Sequence, residues 1–87
     1  MPVFVAAVEI HLKPGALDPQ GQAVAQGLRA LGHDGVGAVR VGKHVRLELT
    51  AQDAAGARAE VERMCAELLA NPVMETYRIE IGPPAGA

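Results

Sequence analysis

The sequence predicts an α+β domain of order β-α-β-β-α-β: a four-stranded, mainly antiparallel sheet with two helices on one face, ferredoxin-like or a close variant. Three observations predict it. Val3 to Leu12 places Phe4, Ala6, Val8, Ile10 and Leu12 on one parity, with Glu9 and His11 on the other, which is the period of a strand. Two later stretches carry apolar residues at helical spacing behind a capping residue, one after Asp18 and one after Thr50. The segments Val36 to Val41, Val45 to Thr50 and Val73 to Ile81 return to alternation. With 87 residues there is material for one core, so a single domain is expected over 1–82, followed by a disordered Gly/Pro/Ala tail at 83–87.

Taken in order, the first strand is unusual because Val3, Val5 and Ala7 on its other parity are apolar as well. Both faces of its first half therefore ask for cover, and two helices on one side of a sheet supply only one. Lys13-Pro14-Gly15-Ala16 ends the strand. Asp18 then offers a side-chain acceptor at an N-cap, and Pro19 follows at the position where a missing N–H costs nothing. Leu17, Val24, Leu28 and Leu31 share one face of the first helix, and Gly32 can enter the left-handed conformation that closes it. Gly21 and Gly27 weaken this helix unless close backbone packing requires them.

Val36 to Val41 and Val45 to Thr50 read as two strands around Gly42-Lys43. A loop of three residues, or a bulge, pairs Val41 with Val45 and Val39 with Leu47 and keeps the apolar set on one face. Thr50 with Asp53 resembles a capping box. Ala54, Ala57, Val61, Met64 and Leu68 then mark the buried side of the second helix, with Arg58–Glu62 and Arg63–Glu67 as i, i+4 ion pairs. Asn71-Pro72 ends it, and the last strand follows with Tyr77, Ile79 and Ile81 on one face.

Composition excludes several classes of function. Ten acidic residues against eight basic ones leave a net charge of −2, without the cationic surface that nucleic acid requires. Aromatic bases would find only Phe4 and Tyr77 to stack on, and both point inward by parity. A lone Cys65 cannot form an internal disulfide, and neither a signal-like segment nor a membrane-length apolar run is present, so a cytoplasmic chain is expected, away from membranes. Serine is absent altogether, which removes serine-based acyl transfer. Cys65 sits beside Met64 in mid-helix and reads as a small buried hydrophobe. His11, His33 and His44 have no metal-ligand spacing. The loop from Lys13 to Gly21 could present a helix N-terminus to an anion, but Asp18 opposes one and is better placed as a cap. Arg40, Lys43, His44 and Arg46 form a small basic patch around the expected hairpin. Nothing amounts to an acid–base pair, a triad or a phosphate cradle.

Three stretches nevertheless stand out: Leu17-Asp18-Pro19-Gln20-Gly21, Val39-Arg40-Val41-Gly42-Lys43, and Leu68-Leu69-Ala70-Asn71-Pro72-Val73-Met74-Glu75-Thr76-Tyr77. In identity, order and separation they resemble the signature regions of PurS subunits of phosphoribosylformylglycinamidine synthase, with mild departures at Met74 and Thr76. The resemblance implies a non-catalytic adaptor in a glutamine-dependent, ATP-consuming ligase of purine biosynthesis. A glutaminase subunit there carries the nucleophilic cysteine and a large synthetase subunit binds ATP with magnesium, so this chain would hold no catalytic, cofactor or metal residue. It also implies association of the chain with itself, as a dimer or tetramer. Asp18, Gln20, Arg40, Lys43, Arg46 and Asn71 are the candidate contacts with the other subunits, and Val3, Val5 and Ala7 the candidate contacts with a second copy. A different class also fits the element order: a regulatory domain sensing an amino acid or nucleotide at a dimer interface, which a ligand would stabilise.

Overall fold

The computed structural model describes residues 1–84, with side chains through residue 82. Three strands form its sheet: β1 (Val3–Leu12), β2 (Lys43–Thr50) and β3 (Glu75–Pro84), antiparallel in the order β2-β1-β3. The register sets Val8 between Val45 and Ile79, and Ala6 between Leu47 and Ile81. One face therefore collects the apolar residues of all three strands, as parity predicts. The central strand is best covered: Ala6, Val8 and Ile10 are fully buried, and Phe4 nearly so. Tyr77, read as inward, remains 40% exposed.

The helix α2 (Ala54–Met64) lies on this face and packs against β1 and β3. Ala57, Val61 and Cys65 are fully buried there, with Ile79 and Ala70 completing the core. Its cap is Asp53, whose Oδ1 accepts the Gly56 N–H at 2.7 Å, while Thr50 closes β2. The capping box read at Thr50 thus gives way to a simple aspartate cap. Beyond Met64 the helix widens into a π-helical turn, Cys65–Leu69, closed by the Ala70 N–H on the Cys65 carbonyl at 3.0 Å. That extra residue moves Glu67 out of reach of Arg63, which instead pairs with Glu60 at 3.0 Å. Arg58 donates to the Ile79 carbonyl on β3 at 2.9 Å rather than to Glu62, fastening the helix to the sheet.

The fourth strand expected at Val36 to Val41 is absent, and so is its hairpin with β2; the partner of β2 is β1, from Val3 with Thr50 to Ile10 with Lys43. The segment runs instead as an irregular strap along α1 (Pro19–Ala30). Arg29 donates to the carbonyls of Val36 and Gly37 at 3.3 and 3.2 Å, and the Val41 N–H goes to Asp18. A Cβ on Gly21 would collide with the Val39 carbonyl oxygen, so glycine is what lets strap and helix touch. Gly27 has no such neighbour. The alternation of the strap is real, but two of its carbonyls and one of its N–H groups are taken by Arg29 and Asp18.

Asp18 and Pro19 do begin α1, and Gly32 at φ +100° follows it in the left-handed region. What differs is the face it buries. Gly21 and Ala25 face the strap, while Leu17 is 67%, Val24 44% and Leu31 77% exposed. Only α2 is layered on the sheet; α1 and its strap form an arm beyond one end of it. The molecule measures 52 × 30 × 15 Å with a radius of gyration of 16.7 Å, against about 12 Å for a compact domain of this length. At the other terminus β3 continues through Gly82 to Pro84, which pairs with Phe4, so residues 83 and 84 of the tail expected at 83–87 belong to the strand, and its remaining residues lie outside those described. Among the described residues, no helix is long and apolar enough to cross a membrane.

Candidate functional site

The three stretches singled out in the sequence meet where the arm joins the sheet. Asp18 is 6% exposed, and each of its carboxylate oxygens has a backbone partner: Oδ1 accepts the Gly21 N–H at 2.8 Å and Oδ2 the Val41 N–H at 2.9 Å. The Gly21 N–H, then the Val41 N–H, and to a lesser degree the Arg40 charge hold its carboxyl below the usual carboxylate range, against the opposing effect of burial. Arg40 in turn donates to three carbonyls of the opposite chain segment, Ala16 at 3.3 Å, Leu12 at 3.4 Å and Lys13 at 3.1 Å. The two connections between sheet and arm, residues 13–18 and 40–42, are therefore bound to one another through one acidic and one basic side chain. Gly42 lies so near β1 that a Cβ there would stand 2.7 Å from both the Ile10 carbonyl oxygen and His11 Nδ1.

The third stretch braces the same end of the sheet. Asn71 Oδ1 accepts the Val73 and Met74 N–H groups at 2.9 and 3.3 Å, a side-chain turn that reverses the chain after the π-helical turn. Glu75 Oε1 accepts the Asn71 N–H at 2.8 Å. Its Oε2 lies 3.7 Å from Lys43 Nζ, which also donates to the Leu69 carbonyl at 3.4 Å. Lys13 Nζ reaches the Pro72 carbonyl at 3.0 Å, and its N–H the Met74 carbonyl at 2.8 Å. Cations on the last carbonyls of a helical segment are electrostatically favourable.

Of the six residues chosen as contacts for other subunits, five gather here. Asp18, Gln20 and Lys43 line one shallow cleft together with Leu12, Val41 and Glu75, and Arg40 and Asn71 stand on its two sides through the bonds just described. Gln20 is exposed, whereas the carboxylate of Asp18 is consumed inside the chain. Arg46 lies elsewhere, on the outer face of the sheet opposite Ala7, whose other neighbour is Glu80. Glu75, Lys13 and Arg29, which sequence reasoning passed over, carry as much of the local architecture as those it selected. Only the Asn71 to Glu75 spacing hinted at one of them.

Val3, Val5 and Ala7 occupy the outer face and are half-buried. Glu48 stands beside Val5, and Arg46 and Glu80 beside Ala7, so this face is a mixed charged surface with small apolar gaps. The larger apolar exposure is on α1. Cys65 is fully buried, and burial, helped by the Glu62 charge, pushes its thiol up. Among the described residues, no three His, Cys, Asp or Glu side chains lie close enough to share a metal ion. The geometry is that of a structural joint.

A family model described as PurS, phosphoribosylformylglycinamidine (FGAM) synthase, matches residues 5–83. This chain belongs to the PurS family. It is 48% identical over 80 residues to the PurS subunit of phosphoribosylformylglycinamidine synthase from Synechocystis sp., covering 92% of this chain and 80% of that relative. The crystal structure of PurS from Thermus thermophilus superposes with a TM-score of 0.78 at 44% identity, covering 94% of this chain and all of that one. A chain in the structure of PurLQS from Thermotoga maritima reaches a TM-score of 0.85 at 33% identity, over 94% of this chain and all of its own length. The α+β fold with two helices and a three-stranded antiparallel sheet is the fold of these relatives.

Proposed function

We propose that the chain acts as the small, non-catalytic adaptor subunit of phosphoribosylformylglycinamidine synthase, a glutamine-dependent ligase of purine biosynthesis. Full-length agreement with PurS chains carries this reading, one of them in a PurLQS assembly. The chemistry of the chain is consistent with it, since the one cysteine is buried and Asp18 and Arg40 of the signature stretches are spent on holding the arm. In this role the chain binds a second copy of itself and bridges a glutaminase to a large synthetase in the cytoplasm, so that ammonia from glutamine reaches formylglycinamide ribonucleotide without loss to solvent. ATP and magnesium belong to the large subunit. The exposed side chains around the joint, Gln20 and Lys43 first, meet the other subunits.

The test is glutamine-dependent formation of formylglycinamidine ribonucleotide by the glutaminase and synthetase, with and without this protein. Activity that depends on its addition is the expected result. Equal activity in its absence refutes the adaptor role, and ligand-dependent thermal stabilisation of the isolated chain would then favour a sensing domain.

A further inference from the structure

The arm holds a cleft of its own. α1 and the strap close on one another at Gly21, whose backbone meets the Val39 carbonyl, and again at Arg29, which donates to the Val36 and Gly37 carbonyls. These two attachments lie about 12 Å apart along the helix axis. Between them opens a cleft of about 660 Å³, a volume within the range of small-molecule sites. Its walls are thin, with Ala25 on the helix and Gly37 and Ala38 on the strap.

The polar groups of the cleft favour one kind of ligand. Gln22, Gln26 and Arg29 follow one another at i, i+4 and i+7 and line it from one face of α1. Both carboxamides are exposed, and each offers donors and an acceptor together. Arg29 spends two of its five N–H groups on the strap, and among the described residues no carboxylate lies within ion-pair distance of it. The remaining charges of the cleft, Arg40 and Asp18, offset each other. Arg29 is therefore its uncompensated cation.

Asp18 narrows the choice further. It is 6% exposed and both its oxygens accept backbone N–H groups, so it offers no counter-ion to an ammonium group. Its charge also opposes a ligand bearing two negative charges. A carboxylate joined to a neutral amide meets neither obstacle. The guanidinium receives the carboxylate in a charge-assisted hydrogen bond, and an amide exchanges donor and acceptor with a glutamine side chain.

We propose that the cleft between α1 and the strap binds a singly charged carboxylate attached to a neutral amide, the chemistry shared by N-acylated amino acids and the C-terminal residue of a polypeptide. Arg29 takes the carboxylate, and Gln26 and Gln22 take the amide.

Titration of the full chain, labelled with nitrogen-15, with N-acetylglycine tests the site by NMR. The side-chain amide signals of Gln22 and Gln26 and the Arg29 Nε–H signal should shift together and saturate, while the side chain of Gln52, outside the cleft, stays unmoved. N-acetylglycinamide, which lacks the charge, and glycine, which adds an ammonium, should each bind at least about tenfold more weakly. Arg29 is left in place because it also fastens the strap. Gln26→Glu changes an exposed position and should weaken N-acetylglycine about tenfold by like-charge repulsion, with the far-ultraviolet circular dichroism unchanged. Acetyl-tetraglycine separates the two sources: tighter binding than N-acetylglycine assigns the cleft to a chain end, and equal or weaker binding assigns it to a small acid. Shifts that fail to saturate, that N-acetylglycinamide or sodium phosphate at equal ionic strength reproduces, or that persist undiminished in Gln26→Glu overturn the proposal.

Discussion

The two helices are built from similar numbers of residues and capped in the same way, yet one belongs to the core and the other does not. Both begin with an aspartate whose carboxylate accepts an N–H three residues on. α2 carries Arg58, Glu60, Glu62 and Arg63 and turns Ala57 and Val61 into the sheet. α1 has a stronger apolar stripe by sequence, but it buries Gly21 and Ala25 against its own strap and leaves the stripe open. Apolar periodicity therefore says which face of a helix seeks cover, and not whether the cover lies in the same chain. Long-range attachment makes the difference: Arg58 and the buried Cys65 tie α2 to β3 and β1, while Asp18 and Arg40 tie α1 to the joint.

Three pairs of substitutions would break or sharpen this contrast. The largest effect is expected for Val61→Asp, which puts a carboxylate into a fully buried site of α2 and should cost at least about 4 kcal/mol, enough to abolish the cooperative urea transition of so small a domain. The matching change on α1, Val24→Asp, should leave the fold of the single chain intact at low concentration, because Val24 is 44% exposed there. Circular dichroism of both variants decides it.

The caps come next. Asp53→Ala loses one exposed bond and should cost about 1 kcal/mol by urea denaturation. Asp18→Ala strands two backbone N–H groups at the joint and should lower the midpoint further. The same carboxylate makes stability depend on pH. Its folded-state pKa is held below the unfolded value, so its contribution is present above the ordinary aspartate range and is lost as pH falls through the folded pKa. The gap between wild type and Asp18→Asn should close on acidification, and a gap that is constant with pH would show that the carboxylate charge is not what holds the joint.

The smallest effects distinguish two glycines of one helix. Gly27→Ala meets nothing within 4 Å and should stabilise α1 by up to about 1 kcal/mol. Gly21→Ala must displace the Val39 carbonyl and should destabilise the arm, seen as faster amide exchange over residues 19–41. Equal effects of the two changes would mean that strap and helix do not touch closely.

Much of this was legible beforehand for identifiable reasons. The parity of β1, the Asp18-Pro19 start of α1, the Gly32 stop and the burial of Ala57 and Val61 on α2 are local signals, set by the geometry of residues within a turn or two of each other, whereas Ala54 and Leu68, read on the same side, are exposed because the π-helical turn and the helix start carry them off the sheet. The error at Val36 to Val41 has an equally definite source. Alternation records that a segment can pair as a strand, but Arg29 on the preceding helix takes two of its carbonyls, and Gly21 lets that helix close on the Val39 carbonyl. At the candidate site, the stretches marked by resemblance meet in space, and five of the six chosen residues converge there. It could not tell a docking side chain from a bracing one, because Asp18 and Arg40 show their intramolecular bonds only when segments more than twenty residues apart are brought together.

By itself, then, the sequence determined the α+β class, the inward face of the sheet, the cap of the first helix and membership of a family recognised by three short stretches. These depend on local periodicity and local chemistry, which act before the chain has any global shape. Tertiary structure alone decided that β2 pairs with β1, that α1 leaves the sheet, and that the signature side chains form a locked joint. Those outcomes turn on competition between distant partners for the same backbone groups and the same apolar surface, and only the folded chain brings the competitors within reach of one another.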